Sequence, residues 1–484
     1  MPKTSLPWLK KWLSYKFFSM SHSANPTTLS SRKNALSIFQ AGVAAADPYQ
    51  AVKCCLFADD QQLDILLNLN DKTQKRTGKW SKVHIIAFGK AACAMAKAAR
   101  EIIPAHLLAG FGIAVTNNEN VTAIENIEVI GAAHPLPDET GLNAAKRCAE
   151  RISNAQKDEL VLVLVSGGGS ALIPYPVDAI SLQEKIATTD LLLACGATIN
   201  EINCVRKHLS RLKGGGLARL AVPADLHAFI LSDVLGDDLS AIASGPTVPD
   251  SSTYDDAIAV FTTKGIWDKV PAKVQQHLEQ GALGKAPETP KPGDNAFKNT
   301  TTTLIGSNAI SVNASINAAQ DLGYETQLYD AHLCGEARNA AEKWVCYAKH
   351  LIDNGINKPR ALLAGGETTV TLKGNGRGGR NQEMVLAFAI AAQQYGLTGY
   401  WTFLSGGTDG RDGPTDAAGG IVDQDTIKRM IHSGLDPLAM LDNNDSYTAL
   451  KSSQDLLNTG ATGTNVADLQ VLLIHPNSYT NTHA

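Results

Sequence analysis

The stretch 83–103, VHIIAFGKAACAMAKAAREII, determines the class of fold that the sequence predicts. Its first six residues form a short apolar run, Gly89 interrupts it, and the alanine-rich remainder has helical periodicity. A short buried strand, a glycine turn and a helix are one unit of an α/β sheet. The stretch therefore predicts a strand at 83–88 and a helix at 90–103 that covers the sheet.

The same alternation continues through most of the chain. The aliphatic runs LVLVLV (160–165) and LHAFILSD (226–233) are separated by stretches with helical periodicity. Strands that are aliphatic at every position are typical of parallel sheets buried between two helical layers. Further strands are expected at 112–116, 301–306, 325–330, 361–366, 368–373, 401–407 and 468–474, and helices at 141–152, 181–194, 198–211, 308–321, 336–352 and about 380–394.

The segment GALGKAPETPKPGDNAFKNT (281–300) interrupts this rhythm with three prolines and little apolar content. Such a composition indicates an interdomain linker or a surface excursion. We therefore expect two α/β domains with largely parallel, Rossmann-like sheets. The expected divisions are a basic leader at 1–30, a first domain at 31–280, the linker or excursion at 281–300 and a second domain at 301–484.

The composition of the 484 residues excludes several classes of protein. Hydrophobic residues make up 44% and charged residues 19%, so the chain can bury a large core and is not disordered overall. The net charge of -4 combines six basic and no acidic side chains in residues 1–46 with a net -10 beyond them. The acidic body argues against a nucleic-acid partner, and no apolar run reaches the ~18–20 residues that span a bilayer. A homo-oligomer is left open.

The leader segment LPWLKKWLSYKFF (6–18) places Leu6, Leu9 and Leu13 on one helical face. A basic, serine-containing, acid-free and amphipathic leader is typical of a mitochondrial transit peptide. Its lysines stand where such peptides prefer arginine, so an untrimmed tail is the alternative interpretation. The sequence favours a mitochondrial protein, with a cytoplasmic form that starts at Met20 as the alternative.

Glycine-rich loops follow two predicted strands of the first domain. In open α/β sheets, ligands bind beyond the carboxyl ends of the strands. Lys90 follows Gly89 at the start of a helix, where it can hold a phosphate or be a solvated side chain. The loop SGGGS can aim several backbone N–H groups at one anion, or be a plain tight turn. Its residues are Ser166, Gly167, Gly168, Gly169 and Ser170.

Two further candidates lie in the same half of the chain. Lys207 begins KHLSRLKGGG (207–216), a basic and glycine-rich stretch that fits either anion binding or the capped end of a helix. Asp233 ends the predicted strand 226–233. A carboxylate in that position can accept a proton from a hydroxyl group or hold Mg²⁺ through water.

The stretch GGETTVTLKGNGRGGRNQE (365–383) contains Glu367, Arg377 and Arg380. Its segment GNGRGG matches GxGxxG between a predicted strand and a predicted helix, which is the context of a dinucleotide fingerprint. The acid that would bind the ribose is missing, because no Asp or Glu occurs between 384 and 408. The arginines therefore fit a phosphate clamp better than a dinucleotide turn.

The loop SGGTDGRDGPTDAAGG (405–420) holds Asp409, Asp412 and Asp416 among six glycines. Clustered carboxylates suit a hard cation such as Mg²⁺, and a solvated Gly/Asp loop is the alternative. Loops of this length in a compact domain are more often functional than idle. We therefore take Asp409 as a candidate metal ligand, together with Asp233.

Missing motifs narrow the chemistry further. The sequence has no GxxxxGK(S/T), no GxSxG and neither HRD nor DFG, which argues against P-loop NTPases, nucleophile-elbow hydrolases and protein kinases. The remaining lysine, arginines, carboxylates and anion-binding loops fit phosphoryl transfer, in which catalysis is mostly positioning and charge stabilisation. From its residues alone, the sequence predicts a phosphate-handling α/β enzyme with an unknown acceptor.

At these residues the chain strongly resembles the type 2 glycerate kinases, the family with a C-terminal MOFRL domain. Eight stretches match in family order: AFGKAACAMA, HPLPDETG, LVSGGGSALI, NCVRKHLSRLKGGGLA, LSDVLGDDLSAIASGPTVPD, GGETTVTLKGNGRGGRNQE, SGGTDGRDGPTDAAGG and TGTNVADL. The resemblance implies ATP- and Mg²⁺-dependent phosphorylation of D-glycerate at its 2-hydroxyl group, giving 2-phosphoglycerate. It also implies an active site in the cleft between two α/β domains.

The resemblance implies roles for the candidates by motif match. Lys90 would contact phosphate, Asp233 would engage the hydroxyl group or the metal, and Arg380 would steady the transferring group. The 166–170 loop would hold either the carboxylate of glycerate or a phosphate of ATP. Glu367 and Asp409 would lie near these residues in the implied active site. The alternatives are an NAD(P)H-dependent hydroxypyruvate reductase, motivated by GNGRGG, and a non-catalytic nucleotide- or metabolite-binding protein.

Overall fold

The computed structural model describes residues 25–69 and 71–476. The predicted transit segment lies almost wholly outside these described residues. Within them, no helix is long and apolar enough to cross a membrane.

The first part of the described chain forms a small antiparallel sheet and a large α/β layer. It begins with α1 (Pro26–Ala45), α2 (Pro48–Cys55), β1 (Leu56–Ala58), β2 (Leu63–Leu66) and β3 (Lys75–Gly78). It continues with β4 (Val83–Phe88), α3 (Ala92–Ile102), β5 (Gly112–Asn117), β6 (Ile127–Ala132), α4 (Glu139–Ser153), β7 (Leu160–Val165), α5 (Gly169–Leu172), α6 (Leu182–Ala194), α7 (Ile199–His208), α8 (Gly216–Ala221), β8 (Asp225–Leu231), α9 (Tyr254–Thr263), α10 (Ala272–Ala282) and β9 (Thr300–Gly306).

Strands β4 to β9 form one parallel sheet in the order β6-β5-β4-β7-β8-β9. This is the strand order of a Rossmann fold, in which the order reverses between β4 and β7. Both of these strands are buried at every position, as their aliphatic sequences predict. The predicted Rossmann-like first sheet is confirmed, and the loops that follow β4 and β7 lie side by side.

The second part of the chain forms another α/β domain. Its elements are α11 (Asn308–Asp321), β10 (Glu325–Leu333), α12 (Ala337–Asp353), β11 (Arg360–Gly366), α13 (Arg380–Gln394), β12 (Tyr400–Gly407), β13 (Gly419–Asp423), α14 (Thr426–His432), α15 (Pro437–Asp442), α16 (Ser446–Ser452), β14 (Leu456–Leu457) and β15 (Asp468–His475). The α/β class is therefore confirmed for both halves of the chain.

The sheet of this second domain is mixed and not largely parallel. Its order is β10-β11-β15-β12-β13-β14, and among the described strands only β10 and β11 pair in parallel. The last strand, β15, inserts between β11 and β12 and runs antiparallel to both. An aliphatic run indicates a buried strand, but it does not specify the direction of its neighbours, so this insertion was not foreseen.

The boundaries between the domains also differ from those expected. Strand β9, expected in the second domain, pairs with β8 and completes the first sheet. Helix α1 begins inside the expected leader and packs on the second domain, against α11, β12 and β15. Its Arg32 is buried in ion pairs with Asp423 and Asp455. A local pattern identifies a helix or a strand, but long-range contacts decide which sheet it joins.

The segment 281–300 is a surface excursion of the first domain and not an interdomain linker. It packs against α7, where His208 Nε2 lies 3.0 Å from Glu288 Oε1. The N–H of Asp250 donates to the carbonyl oxygen of Pro290 over 2.9 Å. Because the segment then leads into β9, both of its ends belong to the same domain.

The strand predicted at 368–373 does not form. Thr369 makes one isolated bridge to Glu336, and Leu372 is exposed. Both edges of the preceding strand β11 are already paired, with β10 and with β15. The segment therefore finds no free edge beside β11, although its alternating sequence has the local pattern of a strand.

Candidate active site

The candidate site is centred at the switch point of the first sheet. Strands β4 and β7 end together there, with Phe88 paired with Val165. Gly89 and Lys90 follow the first of these strands, and the 166–170 loop follows the second. In Rossmann-like sheets this crevice is where ligands bind.

Hydrogen bonds join the two loops into one structure. The N–H of Lys90 donates to the carbonyl oxygen of Gly167 over 2.9 Å, and the N–H of Ala91 donates to Ser166 Oγ over 3.0 Å. The left-handed φ of +121° at Gly89 lets the chain turn against Ser166 without a Cβ atom in the way. The two sequence-predicted anion loops therefore belong to a single site.

The serine hydroxyl groups of the 166–170 loop already have internal partners. Ser166 Oγ accepts the bond from Ala91, and Ser170 Oγ accepts one from Lys213 Nζ over 2.6 Å. The N–H groups of residues 167–170, in contrast, find no acceptor within the described parts of the chain. The backbone N–H groups of this loop are therefore the groups available to an anion, as the sequence predicts for this loop.

Asp233 lies against the same loop. It follows β8, which pairs with β7, and a side chain at Gly167 would overlap its Oδ2 atom. Burial raises the pKa of Asp233, and the charge of Lys90 opposes that shift. Lys90 makes no ion pair within the described residues, so its charge is free to meet a ligand. A buried carboxylate with a raised pKa beside an unpaired lysine is suited to be a general base.

His134 completes this side of the site, although the sequence analysis did not select it. A Cβ atom at Gly168 would lie 3.1 Å from His134 Nε2 and 3.3 Å from Lys90 Cγ. Burial lowers the pKa of His134, and the charge of Lys90 adds to the shift. The available signal was the motif HPLPDETG, in which this histidine stands.

The second domain presents an edge of its own, where β11 and β12 end around the start of β15. In the strand register, Asp468 is paired with Gly366 on one side and Gly407 on the other. Glu367 follows the first glycine, and Asp409 lies two residues beyond the second. The wholly buried Asp468 (0% exposed) therefore stands between two predicted site residues. Sequence analysis missed it because its importance comes from this register.

Arg380 forms ion pairs with two acids of this second edge, Asp468 and Glu367. Its Nε and Nη2 atoms donate to the two oxygens of Asp468 over 2.6 and 2.9 Å, and Nη1 lies 2.9 Å from Glu367 Oε1. Burial acts to lower the pKa of Arg380, but the two carboxylates outweigh it and raise the pKa. Such bidentate pairing fixes the guanidinium plane. The structure therefore gives Arg380 a positioning role in addition to the phosphate role that the sequence predicts.

The two edges face each other across a cleft. The pKa of Glu119, after β5, is lowered by its own N–H group and by Asn117, and the charge of Arg411, after β12, adds to this. A side chain at Gly236, after β8, would lie 3.8 Å from Nε2 of His332 in β10. The first pair interacts through charge and the second lies close together, and each pair links the carboxyl ends of strands in different domains. Lys90, Asp233, Glu367, Arg380 and Asp409 therefore lie on the two edges that form this cleft.

Two residues predicted to bind substrate or phosphate have other partners. Lys207, which is 7% exposed, pairs with Asp250, with 3.2 Å between Nζ and Oδ1. Arg377 is exposed, and its guanidinium carbon lies 4.9 Å from the centre of the Tyr447 ring. The structure does not bring either side chain to the residues assembled at the strand edges. Lys207 is held in an ion pair, and Arg377 lies against an aromatic ring.

The glycines of GNGRGG serve close packing and not the binding of a dinucleotide. A Cβ atom at Gly376 would lie 2.6 Å from the carbonyl oxygen of Asn443, and one at Gly378 would overlap Ser446 Oγ. The loop is thus pressed against the segment between α15 and α16. No larger residue fits at these two positions without movement of that segment.

The N-terminus of α13 is capped by a carboxylate of the protein itself. Asp412 accepts hydrogen bonds from the N–H groups of Asn381 and Gln382 over 3.1 and 2.8 Å. Burial raises the pKa of Asp412 to about 6. In a dinucleotide-binding fold, this helix end would receive the pyrophosphate. Because Asp412 fills it and no strand precedes the loop, the geometry gives no support to the reductase alternative.

We expect Gly376→Ala to destabilise the protein by about 1–3 kcal/mol, because overpacking forces the backbone of Asn443 to move. Unfolding in urea, followed by circular dichroism, measures the change. The neighbouring Asn375→Ala, at an exposed side chain, serves as the control and should change stability by less than about 0.5 kcal/mol. A Gly376→Ala protein as stable as the wild type would contradict the packing role.

The acids of the cleft fit a magnesium ion that is shared with a substrate. Within residues 25–69 and 71–476, no three His, Cys, Asp or Glu side chains cluster closely enough to hold a metal by themselves. Mg²⁺ in phosphoryl-transfer sites usually takes only one or two carboxylates and keeps several waters. Asp409 uses Oδ1 to accept from the N–H of Arg411, which leaves its other oxygen for a ligand. The donor set thus suits Mg²⁺ bound with a nucleotide.

The fold and the cleft define a phosphotransferase. A lysine without a counter-charge and bare backbone N–H groups are suited to phosphoryl oxygens, and a buried carboxylate beside them is suited to a hydroxyl acceptor. No P-loop or nucleophile elbow is present in the sequence to indicate another mechanism.

Comparisons with known proteins agree with this class. Residues 34–279 match a family described as a domain of unknown function (DUF4147), and residues 360–468 match the MOFRL family. The glycerate 2-kinase of Pyrococcus horikoshii is 40% identical over 92% of this chain and 97% of its own length. A protein of Agrobacterium vitis with the provisional name of hydroxypyruvate reductase is 40% identical over 92% of this chain and 95% of its own.

A solved structure extends the comparison to the fold. The crystal structure of glycerate kinase from Thermotoga maritima superposes with a TM-score of 0.81, at 40% identity, over 92% of this chain and all of that one (100%). The chain belongs to the glycerate kinase family that carries the MOFRL domain.

Proposed function

We propose that the protein transfers the γ-phosphoryl group of ATP to the 2-hydroxyl group of D-glycerate, giving 2-phosphoglycerate and ADP. The observation that carries this proposal is the meeting of Lys90, Asp233 and the 166–170 loop at the switch point of the first sheet. Membership of the glycerate kinase family supports the choice of acceptor.

Asp233 acts as the general base. Its carboxylate accepts the proton of the 2-hydroxyl group while the hydroxyl oxygen bonds to the γ-phosphorus and the bond from phosphorus to the β-phosphate oxygen breaks. The raised pKa of Asp233 makes its carboxylate a stronger base, and the charge of Lys90 favours the ionised form that accepts the proton. Lys90 and the free N–H groups of the 166–170 loop stabilise the charge on the phosphoryl oxygens.

A magnesium ion, when bound, neutralises the charge of the nucleotide phosphates. Asp409 would hold it, and Asp233, which accepts the proton, would contact it only through water. Arg380 keeps Glu367 at the edge of the cleft through its bond of 2.9 Å. The chain itself thus positions the acids on both sides of the nucleotide.

We expect the purified protein to form ADP from Mg-ATP only when D-glycerate is present. Phosphorus NMR of the product distinguishes 2-phosphoglycerate from 3-phosphoglycerate and tests which hydroxyl group is attacked. No ADP above the background of ATP alone would refute the kinase, and 3-phosphoglycerate would refute the assigned position. Oxidation of NADH with hydroxypyruvate is the control for the reductase alternative, and we expect a flat absorbance trace.

A further inference from the structure

A cavity of about 350 Å³ lies beside the candidate active site, in the first domain. Gly168 and His134, which the site already contains, form part of its wall, and α6 and α7 close it on the other side. Leu136, Ile186 and Leu193 give it an apolar lining. The cavity therefore adjoins the candidate active site, with which it shares Gly168 and His134.

Three basic side chains line this cavity without a counter-charge. They are Lys185 on α6, Arg206 on α7 and Lys213 in the loop before α8. None of the three forms an ion pair with a carboxylate of the described chain. Asp190 is the one acidic residue in the lining, and it is exposed. Like charges in a buried place repel, so this arrangement lowers the stability of the protein when it is empty.

Of the three basic side chains, Lys185 most clearly lacks a partner. The residue is 6% exposed, and its Nζ atom is buried with no hydrogen-bond partner among the described residues. Burial lowers its pKa to about 7, and the charge of Arg206 adds to the shift. Lys213, 2% exposed, has only neutral partners, since it donates to the carbonyl oxygen and Oγ of Ser170 over 3.0 and 2.6 Å. A buried cation without a counter-charge is costly, and charges placed in this way concentrate at functional sites.

We propose that this cavity binds the carboxylate of the acceptor substrate, with Lys185 and Arg206 as its counter-ions and Lys213 holding the Ser170 loop beside it. The inference rests on the proposed function for the identity of that acceptor, glycerate. A small carboxylate supplies negative charge to a cavity whose described lining holds three basic side chains and one acidic side chain, the exposed Asp190. A magnesium nucleotide fits less well, because the acidic side chain that the described lining offers its cation is the exposed Asp190, and neither Asp233 nor Lys90 is a lining residue.

The chain offers a matched pair of buried lysines for the test. Lys185 has no partner, whereas Lys207 pairs with Asp250 over 3.2 Å. We expect Lys185→Met to raise KM for D-glycerate at least tenfold and KM for ATP less than twofold. Its melting temperature should equal or exceed that of the wild type, because a desolvated charge has been removed. Lys207→Met should instead lower the melting temperature, because it leaves Asp250 unpaired, and keep the wild-type KM for D-glycerate.

Binding without turnover separates this proposal from the proposed function. D-glycerate, without ATP, should raise the melting temperature of the wild type and of Lys207→Met but not of Lys185→Met. Glycerol has the same hydroxyl groups without the carboxylate and should stabilise none of them. If D-glycerate binds in this pattern but no phosphorylation occurs, the proposed function fails and the carboxylate site stands.

The opposite outcomes overturn the carboxylate site. They are no stabilisation of the wild type by D-glycerate, an undiminished response of Lys185→Met to D-glycerate, and loss of the response of Lys185→Met to Mg-ATP. The last of these would assign the cavity to a phosphate of the nucleotide.

The pH dependence gives an independent readout. The groups that face Lys185 are Arg206 and Lys213 from the neighbouring elements, His134 across the cavity and Asp190 on α6. A carboxylate binds the protonated lysine, so KM for D-glycerate should rise as pH increases above about 7. This rise of KM with pH should disappear in Lys185→Met. If Lys185 only supported the fold, the variant would show the same rise as the wild type.

Discussion

Replacing Asp233 by asparagine is expected to lower kcat by about 10²–10⁴-fold, which is the usual contribution of a general base. The amide keeps the shape of the side chain but cannot accept the proton of the hydroxyl group. Because Asp233 makes no ion pair within the described residues, the protein should remain folded. Steady-state ADP formation with saturating D-glycerate and Mg-ATP measures the loss.

The control variant changes Asp237, four residues beyond Asp233 in the sequence. Asp237→Asn makes the same chemical change in the same loop, and we expect kcat to stay within about twofold of wild type. The pH profile supplies a second check. Since burial raises the pKa of Asp233, and the base works only when ionised, kcat should fall as pH decreases through that raised pKa. A variant Asp233→Asn with near-wild-type turnover would remove this residue from the mechanism.

The Arg380→Met variant is expected to lose both stability and activity. It leaves Asp468 buried and unpaired, and removal of one member of a buried ion pair typically costs about 3–5 kcal/mol. It also releases Glu367 from its 2.9 Å contact at the edge of the cleft. We expect kcat of the folded fraction to fall by at least about 10²-fold. Thermal unfolding and turnover below the melting temperature measure the two effects separately.

Arg338→Met is the matched control, because Arg338 on α12 also pairs with a buried acid, Glu383 on α13. Its Nε atom donates to Glu383 Oε1 over 2.7 Å, and that glutamate is as buried as Asp468. The control should lose a similar amount of stability, about 3–5 kcal/mol, and keep its kcat. Equal losses of kcat in both variants would show that Arg380 acts only through the stability of the fold.

The strength of the sequence-based prediction varied with the range of the contacts involved. Strands β4 and β7 and helix α11 begin and end at the predicted residues, because a strand or a helix leaves a periodicity in its own sequence. Lys90 and Asp233 were predicted because they follow such strands, and the carboxyl ends of parallel strands meet at one edge. Asp468 was missed, because only the antiparallel insertion of β15 places it between Gly366 and Gly407.

The GNGRGG segment shows how a local motif can mislead. The match to a dinucleotide fingerprint is literal, but the strand it requires does not form, since β10 and β15 already pair with both edges of β11. The helix end it requires is filled by Asp412, thirty residues along the chain. Neither fact has a local signal in the sequence.

By itself, the sequence determined that this chain forms two α/β halves and that the predicted site residues Lys90, Asp233 and Glu367 follow the ends of strands. The periodicity of each element and the glycines beside it carry that information. Only the tertiary structure decided which charged side chains form ion pairs with one another. Lys185 and Lys207 are both buried lysines on helices of the same domain, and their sequences do not distinguish them.

The difference between the two lysines comes from the chain that surrounds them. Asp250, forty-three residues beyond Lys207, folds back to pair with it, whereas no carboxylate reaches Lys185 among the described residues. An ion pair depends on the distance between charges in space and leaves no mark at either position in the sequence. The tertiary structure therefore pairs Lys207, a predicted binding residue, with Asp250, and it places Lys185 in the lining of the cavity without an ion-pair partner among the described residues.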